Sequence, residues 1–179
     1  AYDAGRFPEY IAMAARHAFS GRGGPVFLDV PWDISADMVE ETAIAWPEHY
    51  RANRPAGVPD DTLSEIIELL AGAQNPVVFG GTGLRWTQQP DATAALDAFA
   101  TALRAPVFLN SLARGSLPYN HPYLGNRSRG DALRGADVVL SLGVDWDFRT
   151  GYGKKMNPDA TVIHIDADPM LIGRTWPSE

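Results

Sequence analysis

The chain has 179 residues, a formal net charge of −7 and a composition of 45% hydrophobic and 21% charged residues. This length suits one domain with a sizeable core, or one domain and a piece of another. The acidic balance argues against a nucleic-acid or anionic-membrane partner, since both attract clustered lysine and arginine, and the lack of cysteine excludes disulfides, thiolate catalysis and cysteine-bound metals.

The first 33 residues predict the end of an α/β unit. Residues 7–20 carry apolar side chains at helical spacing, and Pro8 suits a first helical turn. A glycine-rich turn follows, and the apolar run PVFLDV at residues 25–30 predicts a short strand that Pro31 ends. No partner strand precedes this unit, and the chain lacks a starting methionine, so we expect a fragment of a longer protein.

Beyond this unit, residues 34–60 have weak periodicity and several prolines, which predicts a linker. From residue 61 onward, helices alternate with short apolar strands, and Asp60 or Asp61 is expected to cap the first helix. Nearly continuous apolar strands separated by helices are typical of a doubly wound α/β fold, with a mostly parallel sheet and helices on both faces. The predicted strands are residues 77–79, 106–109, 138–142 and 161–165, and the predicted helices are residues 63–70, 92–103 and 130–136, with a long loop at residues 110–125.

A glycine turn follows the first of these strands, at the end where parallel strands form a ligand crevice. Gly80, Gly81 and Gly83 could bring backbone N–H groups close to a phosphate or a ring, although a tight turn without a ligand explains them equally well. Arg129, at the start of a predicted helix, could grip a diphosphate through its guanidinium fork, or could lie on the surface with no ligand.

The last predicted strand ends in two aspartates. Asp166 could accept hydrogen bonds from ribose hydroxyls, as carboxylates at strand ends do in nucleotide sites. Asp168 precedes Pro169 and is predicted to cap a turn. His164 alternates with apolar neighbours inside the strand, so we expect it to be packed rather than catalytic.

No catalytic constellation is visible in the sequence. The four histidines are scattered, no carboxylate pair shares a predicted site, and no H-E-x-x-H, G-x-S-x-G or Walker A pattern occurs. We therefore predict no catalytic residue and no metal ligand in this chain. The lack of cysteine fits a cytoplasmic location, and no apolar run approaches the roughly 18 to 20 residues of a membrane span.

Two segments of the chain resemble thiamine diphosphate-dependent enzymes. GRGGPVFLDVPWD, residues 21–33, is similar to the end of their pyrimidine-binding domain. Residues 76–173 resemble their Rossmann-like central domain through PVVFGGTG, ARGSLPYNHPYLG, RGDALRGADVVLSLG and VIHIDADPMLIG. The resemblance is to acetolactate synthases and to the related oxalyl-CoA decarboxylases and 2-hydroxyacyl-CoA lyases. It implies a pyrimidine-domain remnant at residues 1–33, a linker at 34–60 and a central domain at 61–179.

The resemblance also implies what the intact parent does. Such an enzyme binds thiamine diphosphate through Mg²⁺ and makes or breaks a C–C bond next to a carbonyl. Its activating glutamate and its diphosphate–Mg²⁺ motif lie in domains that this sequence does not contain. We therefore expect this piece to be inactive by itself, to bind no thiamine diphosphate, and to have the missing pyrimidine and diphosphate domains as partners in a dimeric or tetrameric parent.

In several relatives the central domain holds FAD or ADP in a structural or regulatory role. Where acetolactate synthases commonly have G-A-R-F-D-D-R, this chain has GVDWDFR at residues 143–149, so only one of two arginines is retained. Three hypotheses follow: a ligand-free scaffold, a module that binds FAD or ADP, and an independent dinucleotide-binding oxidoreductase domain that lacks G-x-G-x-x-G. The resemblance assigns the nucleotide-binding role to Gly80, Gly81, Gly83, Arg129, Arg149, Asp166 and Ala167.

Overall fold

A computed structural model describes residues 1–50, 57–86 and 91–178. The chain divides into two compact units, Ala1–Pro55 and Ala56–Glu179. Part of the predicted linker, residues 51–56, lies outside the described residues. Within the described ranges, no helix is both long enough and apolar enough to cross a membrane.

The first unit is built from short helices. Its main helix, α1 (Phe7–Phe19), ends one residue before the predicted end and has a proline in its first turn, as the sequence predicts. A turn of 3-10 helix precedes α1 and is capped by Asp3, whose side chain accepts the N–H of Gly5. The remaining elements are α2 (Trp32–Ser35) and a turn of 3-10 helix at Glu41–Ala43.

The strand predicted at residues 25–30 is wrong. These residues form no strand in the described part of the first unit. Strands need a neighbour to pair their backbone N–H and C=O groups, and this apolar run has none there. Its side chains are correspondingly open to solvent, and Phe27 is 89% exposed.

The second unit contains three helices of seven residues or more: α3 (Asp60–Gly72), α4 (Ala92–Leu103) and α5 (Arg129–Gly135). The predicted aspartate cap of α3 is wrong, because Pro59 holds the cap position with φ −57° and ψ 147°. Asp60 and Asp61 instead form the first turn, where their carboxylates face the positive end of the helix dipole.

The predicted fold class is confirmed. The described residues of the second unit form a parallel sheet of five strands in the order β3-β2-β1-β4-β5. One strand was not predicted: β3 has only two residues, too few for any periodicity, and lies in the segment expected to be a loop. The strands are β1 (Pro76–Gly80), β2 (Val107–Leu109), β3 (Leu124–Gly125), β4 (Val138–Leu142) and β5 (Thr161–Ile165).

Alternate residues of the strands pack into two apolar clusters, one on each face of the sheet. Val77 and Phe79 join the cluster that contains α5, whereas Val78 joins the cluster that contains α3 and α4. The residue pairing Phe79↔Ser141↔His164 places these three side chains in one row on the α5 face. Both faces are therefore covered, as the continuous apolar strands predict.

At the amino-terminal edge of the sheet, one carboxylate links the starts of two neighbouring strands by hydrogen bonds. Asp137, just before β4, accepts the backbone N–H groups of Gln74 at 2.6 Å and Asn75 at 2.9 Å, just before β1. These hydrogen bonds, led by that from Gln74, hold the pKa of the Asp137 carboxyl below its usual value. Asp137 thus aligns the starts of two neighbouring strands.

The side of the sheet on which successive strands are added changes between β1 and β4, although all strands stay parallel. Strands β1 to β3 run to one side and β4 and β5 to the other. In doubly wound folds, ligands bind outside the carboxyl ends of the strands at such a switch point. The same strand order occurs in dinucleotide-binding folds, so strand order does not separate a scaffold domain from an oxidoreductase domain.

Candidate functional site

The glycine turn lies at the switch point, with its backbone packed against the loop after β4. The N–H of Gly81 donates to the carbonyl of Leu142 at 2.9 Å, and the N–H of Gly83 donates to the carbonyl of Gly143 at 2.8 Å. A Cβ on Gly81 or Gly83 would collide with the backbone of Gly143, and one on Gly80 would collide with two leucine side chains. These glycines permit two loops to touch, and two of their N–H groups are already bonded.

The loop after β4 contains a compact charge cluster. The Asp147 carboxylate accepts three bonds from Arg149: from the backbone N–H and Nε at 2.9 Å each, and from Nη2 at 2.6 Å. Asp145 Oδ2 lies 3.5 Å from the same Nη2. The Arg149 guanidinium, through its hydrogen bonds above all, holds the pKa of the Asp147 carboxyl below its usual value.

Arg129, at the start of α5, faces the same loop. Its guanidinium lies 5.4 Å from the ring centre of Phe79, a cation–π arrangement. Its Nη2 lies 3.5 Å from the carbonyl oxygen of Arg149. The fold therefore brings together the two predicted arginines, which are twenty residues apart in sequence.

Phe79 and Trp146 form the floor beneath these charges. The two rings are in edge-on contact, with centres 5.4 Å apart. Trp146 is 3% exposed and Phe79 is 1% exposed. The sequence patterns did not single out Phe79. Its place two residues before the glycine turn, in a strand where alternate residues share a face, is the signal that could have identified it.

The end of β5 places Asp166 in the interior. Its side chain is fully buried, Oδ1 accepts the N–H of Asp168 at 2.9 Å, and Oδ2 lies 4.0 Å from Nε2 of the equally buried His164. Asp168 in turn accepts the N–H of Met170, as a turn-capping aspartate does. Ala167 is exposed. A ribose therefore has no direct access to the Asp166 carboxylate in this conformation.

The described residues also border a cavity of about 280 Å³ at the opposite edge of the sheet. It is lined by residues that precede β1 and β2, including Gln74, Asn75 and Arg104. Its position at the amino ends of the strands is not where doubly wound sheets bind ligands. We therefore place the candidate site at the carboxyl edge. Across the described ranges, no three histidine or acidic side chains are grouped to hold a metal ion.

Comparison with known proteins agrees with this architecture. Residues 63–179 match the family model described as "Thiamine pyrophosphate enzyme, central domain". The chain belongs to this family. The resemblance of the second unit, predicted from the sequence motifs, is thereby confirmed, and the doubly wound sheet is that of a thiamine pyrophosphate enzyme central domain.

The proteins to which this chain is similar include acetolactate synthases and an oxalyl-CoA decarboxylase. An acetolactate synthase large subunit of Mycobacterium tuberculosis is 36% identical over 158 residues, covering 87% of this chain and 28% of that protein. That of Corynebacterium glutamicum is 32% identical over 178 residues, covering 93% and 28%. Oxalyl-CoA decarboxylase of Escherichia coli is 31% identical over 170 residues, covering 93% and 30%. The chain thus spans less than a third of the length of these relatives.

Proposed function

We propose that the full-length protein is a thiamine diphosphate-dependent, acetolactate synthase-like enzyme that makes or breaks a C–C bond next to a carbonyl. Family membership supports this proposal, and the two relatives of higher identity are acetolactate synthases. An oxalyl-CoA decarboxylase or a 2-hydroxyacyl-CoA lyase is the alternative parent, since the match to an oxalyl-CoA decarboxylase is nearly as close. When bound, thiamine diphosphate supplies a nucleophilic carbon and an electron sink.

The cofactor and Mg²⁺ are proposed to bind to pyrimidine and diphosphate domains outside this chain. In support of this proposal for Mg²⁺, the described residues contain no group of three or more histidine or acidic side chains that could hold a metal ion. We further propose that the parent is a cytoplasmic homo-oligomer, a dimer or tetramer, in which this piece positions the catalytic domains.

Within that parent, we propose that the second unit is a scaffold domain without a catalytic site of its own. The observation that carries this proposal is that the polar groups of the carboxyl edge bind one another. The Gly81 and Gly83 N–H groups are bonded to the loop after β4, and Arg149 is paired with Asp147. A site built to receive a ligand keeps such donors available in a pre-formed crevice.

The first unit is proposed to be the remnant of the pyrimidine-binding domain at residues 1–33, followed by the linker at 34–60. Its burial pattern supports this interpretation, since none of its described residues is buried. Large apolar side chains at that level of exposure are typical of a surface that another element covers. The most exposed of them are Tyr2, Phe27, Trp32, Met38 and Trp46.

Binding of FAD or ADP at the carboxyl edge is the second candidate role, and one specific observation favours it. The indole N–H of Trp146 and the hydroxyl of Ser141 are buried and lack a hydrogen-bond partner among the described residues. A bound polar group or a water molecule would satisfy them. The residues proposed to form this site are Gly80, Gly81, Gly83, Arg129, Arg149, Asp166 and Ala167.

The parent's activity is tested on the full-length protein supplied with thiamine diphosphate and Mg²⁺. Formation of acetolactate is the expected result, and decarboxylation of oxalyl-CoA in its place would establish the alternative parent. Dependence on neither cofactor would overturn the assignment.

The domain's role is tested by calorimetry on this chain with ADP, FAD, NADH and thiamine diphosphate. A scaffold gives no saturable heat with any of them. Saturable heat with ADP or FAD, or a yellow protein on purification, would favour the second candidate, and heat with NADH alone would favour an oxidoreductase domain.

A further inference from the structure

We infer that Asp145 and Asp147 close the carboxyl-edge crevice to nucleoside diphosphates by holding Arg149 as an internal ion cluster. This inference rests on the proposed scaffold role and names its chemical cause. FAD and ADP each bring a diphosphate, so a nucleotide site of this family must offer that group cationic or N–H donors. The donors at this crevice are engaged by the chain itself.

The first part of the closure is geometric. Arg149 directs Nε and Nη2 to one oxygen of Asp147, at 2.9 Å and 2.6 Å. That edge of the guanidinium is the fork with which an arginine grips a phosphate. The Asp147 carboxylate therefore occupies the position, relative to Arg149, that a phosphate oxygen would take.

The second part is charge. Asp145 adds a carboxylate 3.5 Å from Nη2 of Arg149, and its side chain is 19% exposed. Both carboxylates lie against the guanidinium that a phosphate would need, and each presents negative charge to it. An incoming diphosphate adds at least two more negative charges, and like charges at such separations repel strongly where water is partly excluded.

The third part is that the loop is fixed in this arrangement. The carbonyl of Asp147 accepts the N–H of Thr150 at 3.0 Å, its hydroxyl at 2.8 Å and the N–H of Tyr152 at 2.9 Å. Between the two aspartates, Trp146 is buried against Phe79. These bonds and the buried indole fix the backbone from which the two aspartates reach Arg149.

The remaining cation does not substitute for Arg149. The Arg129 guanidinium lies over the Phe79 ring and beside the Arg149 carbonyl. The glycine turn offers no replacement at Gly81 or Gly83, whose N–H groups donate to Leu142 and Gly143. Exclusion of the diphosphate therefore depends first on Asp147, whose carboxylate occupies the fork of Arg149, and replacing it is the smallest change that tests the closure.

The experiment compares ADP with adenosine on four forms of the chain: wild type, Asp147→Asn, the double variant Asp145→Asn/Asp147→Asn and the control Asp168→Asn. Asp168 lies at the same edge and carries the same charge, and its carboxylate caps a turn at Met170. Calorimetry at low ionic strength measures the affinity. We expect no saturable heat with wild type or control, saturable ADP binding by Asp147→Asn, and binding at least ~10-fold tighter by the double variant, since removal of a second carboxylate lowers the repulsion of the diphosphate. Adenosine should bind none of the four forms detectably.

The possible outcomes distinguish a failure of the proposed closure from a failure of the scaffold role on which it rests. Saturable binding of ADP by the wild-type chain would overturn both the closure and the scaffold role. If none of the four forms gives saturable heat with ADP while melting curves show that all are folded, the closure is overturned and the scaffold role stands. An equal gain in Asp168→Asn would also overturn the closure, because the effect would then be general charge. If the double variant fails to fold, Asp147→Asn decides the matter.

Discussion

Two short apolar runs that both begin with Pro-Val adopt different structures in the two units of this chain. PVFLDV at residues 25–30 forms no strand, and Phe27 in it is 89% exposed. PVVFG, the strand β1 (Pro76–Gly80), lies between β2 and β4, and Phe79 in it is 1% exposed. A run of this composition becomes a buried strand only where neighbouring strands satisfy its backbone and helices cover its faces.

The largest expected effect comes from removing the corresponding aromatic ring in each run. Phe79→Ala should lower the free energy of unfolding by about 3 to 5 kcal/mol, because it opens a cavity beneath Trp146 and Arg129. Phe27→Ala should change it by less than about 0.5 kcal/mol, because that side chain is exposed in this chain. Urea unfolding followed by tryptophan fluorescence measures both, and similar losses for the two variants would contradict the comparison.

A smaller effect is expected from adding one methyl group to a glycine in each unit. In Gly83→Ala the new Cβ meets the backbone of Gly143, so the free energy of unfolding should fall by about 1 to 3 kcal/mol. Gly24→Ala is the matched control, because a Cβ there meets nothing within 4 Å. Thermal melts of the two variants compare them. If Gly83→Ala melts like the wild type, the turn does not pack against the loop after β4.

The smallest effect is expected from neutralising, in each unit, one carboxylate whose pKa is lowered in the folded chain. Asp137→Asn removes the charge that accepts two backbone N–H groups, and should cost about 1 to 2 kcal/mol near neutral pH. The carboxyl pKa is lower in the folded chain than in the unfolded chain. The stabilisation is therefore complete above the ordinary aspartate pKa of about 3.9 and is lost as pH falls through the folded pKa.

The measurement is the difference in urea midpoint between wild type and Asp137→Asn as a function of pH. It should shrink to nothing in acid, and a difference independent of pH would refute the charge-based explanation. Glu9, whose pKa is lowered by its hydrogen bonds from Arg6, is the counterpart in the first unit. Because that pair is solvent-exposed, Glu9→Gln should change the urea midpoint much less than Asp137→Asn does at the same pH.

Local patterns predicted most of the second unit correctly. The predicted bounds of β4, β5 and α4 match the structure, because continuous apolar runs and alanine-rich helical spacing depend only on neighbours in sequence. The two-residue β3 has no such pattern and was missed. The strand at residues 25–30 was predicted on local grounds and was wrong, since no local pattern reveals whether a partner strand is present.

For the candidate site, the sequence suggested residues but not their contacts. Gly81, Gly83, Arg129 and Asp166 were singled out from their positions after strands or at a helix start, and Arg149 from the family resemblance. Their pairing was not predictable: the glycine N–H groups bond to the loop after β4, and Asp147 holds Arg149. Phe79 was overlooked because its role depends on Trp146 and Arg129, which lie far along the chain.

The sequence by itself determined the family and the alternation of strands and helices, because motif order and apolar periodicity are properties of the linear chain. Only the tertiary structure decided which apolar run became a strand and where the charges of the carboxyl edge are paired. Burial depends on groups brought together across the sheet, and the pairing of Arg149 with Asp147 depends on how the loop after β4 folds, which no local pattern fixes.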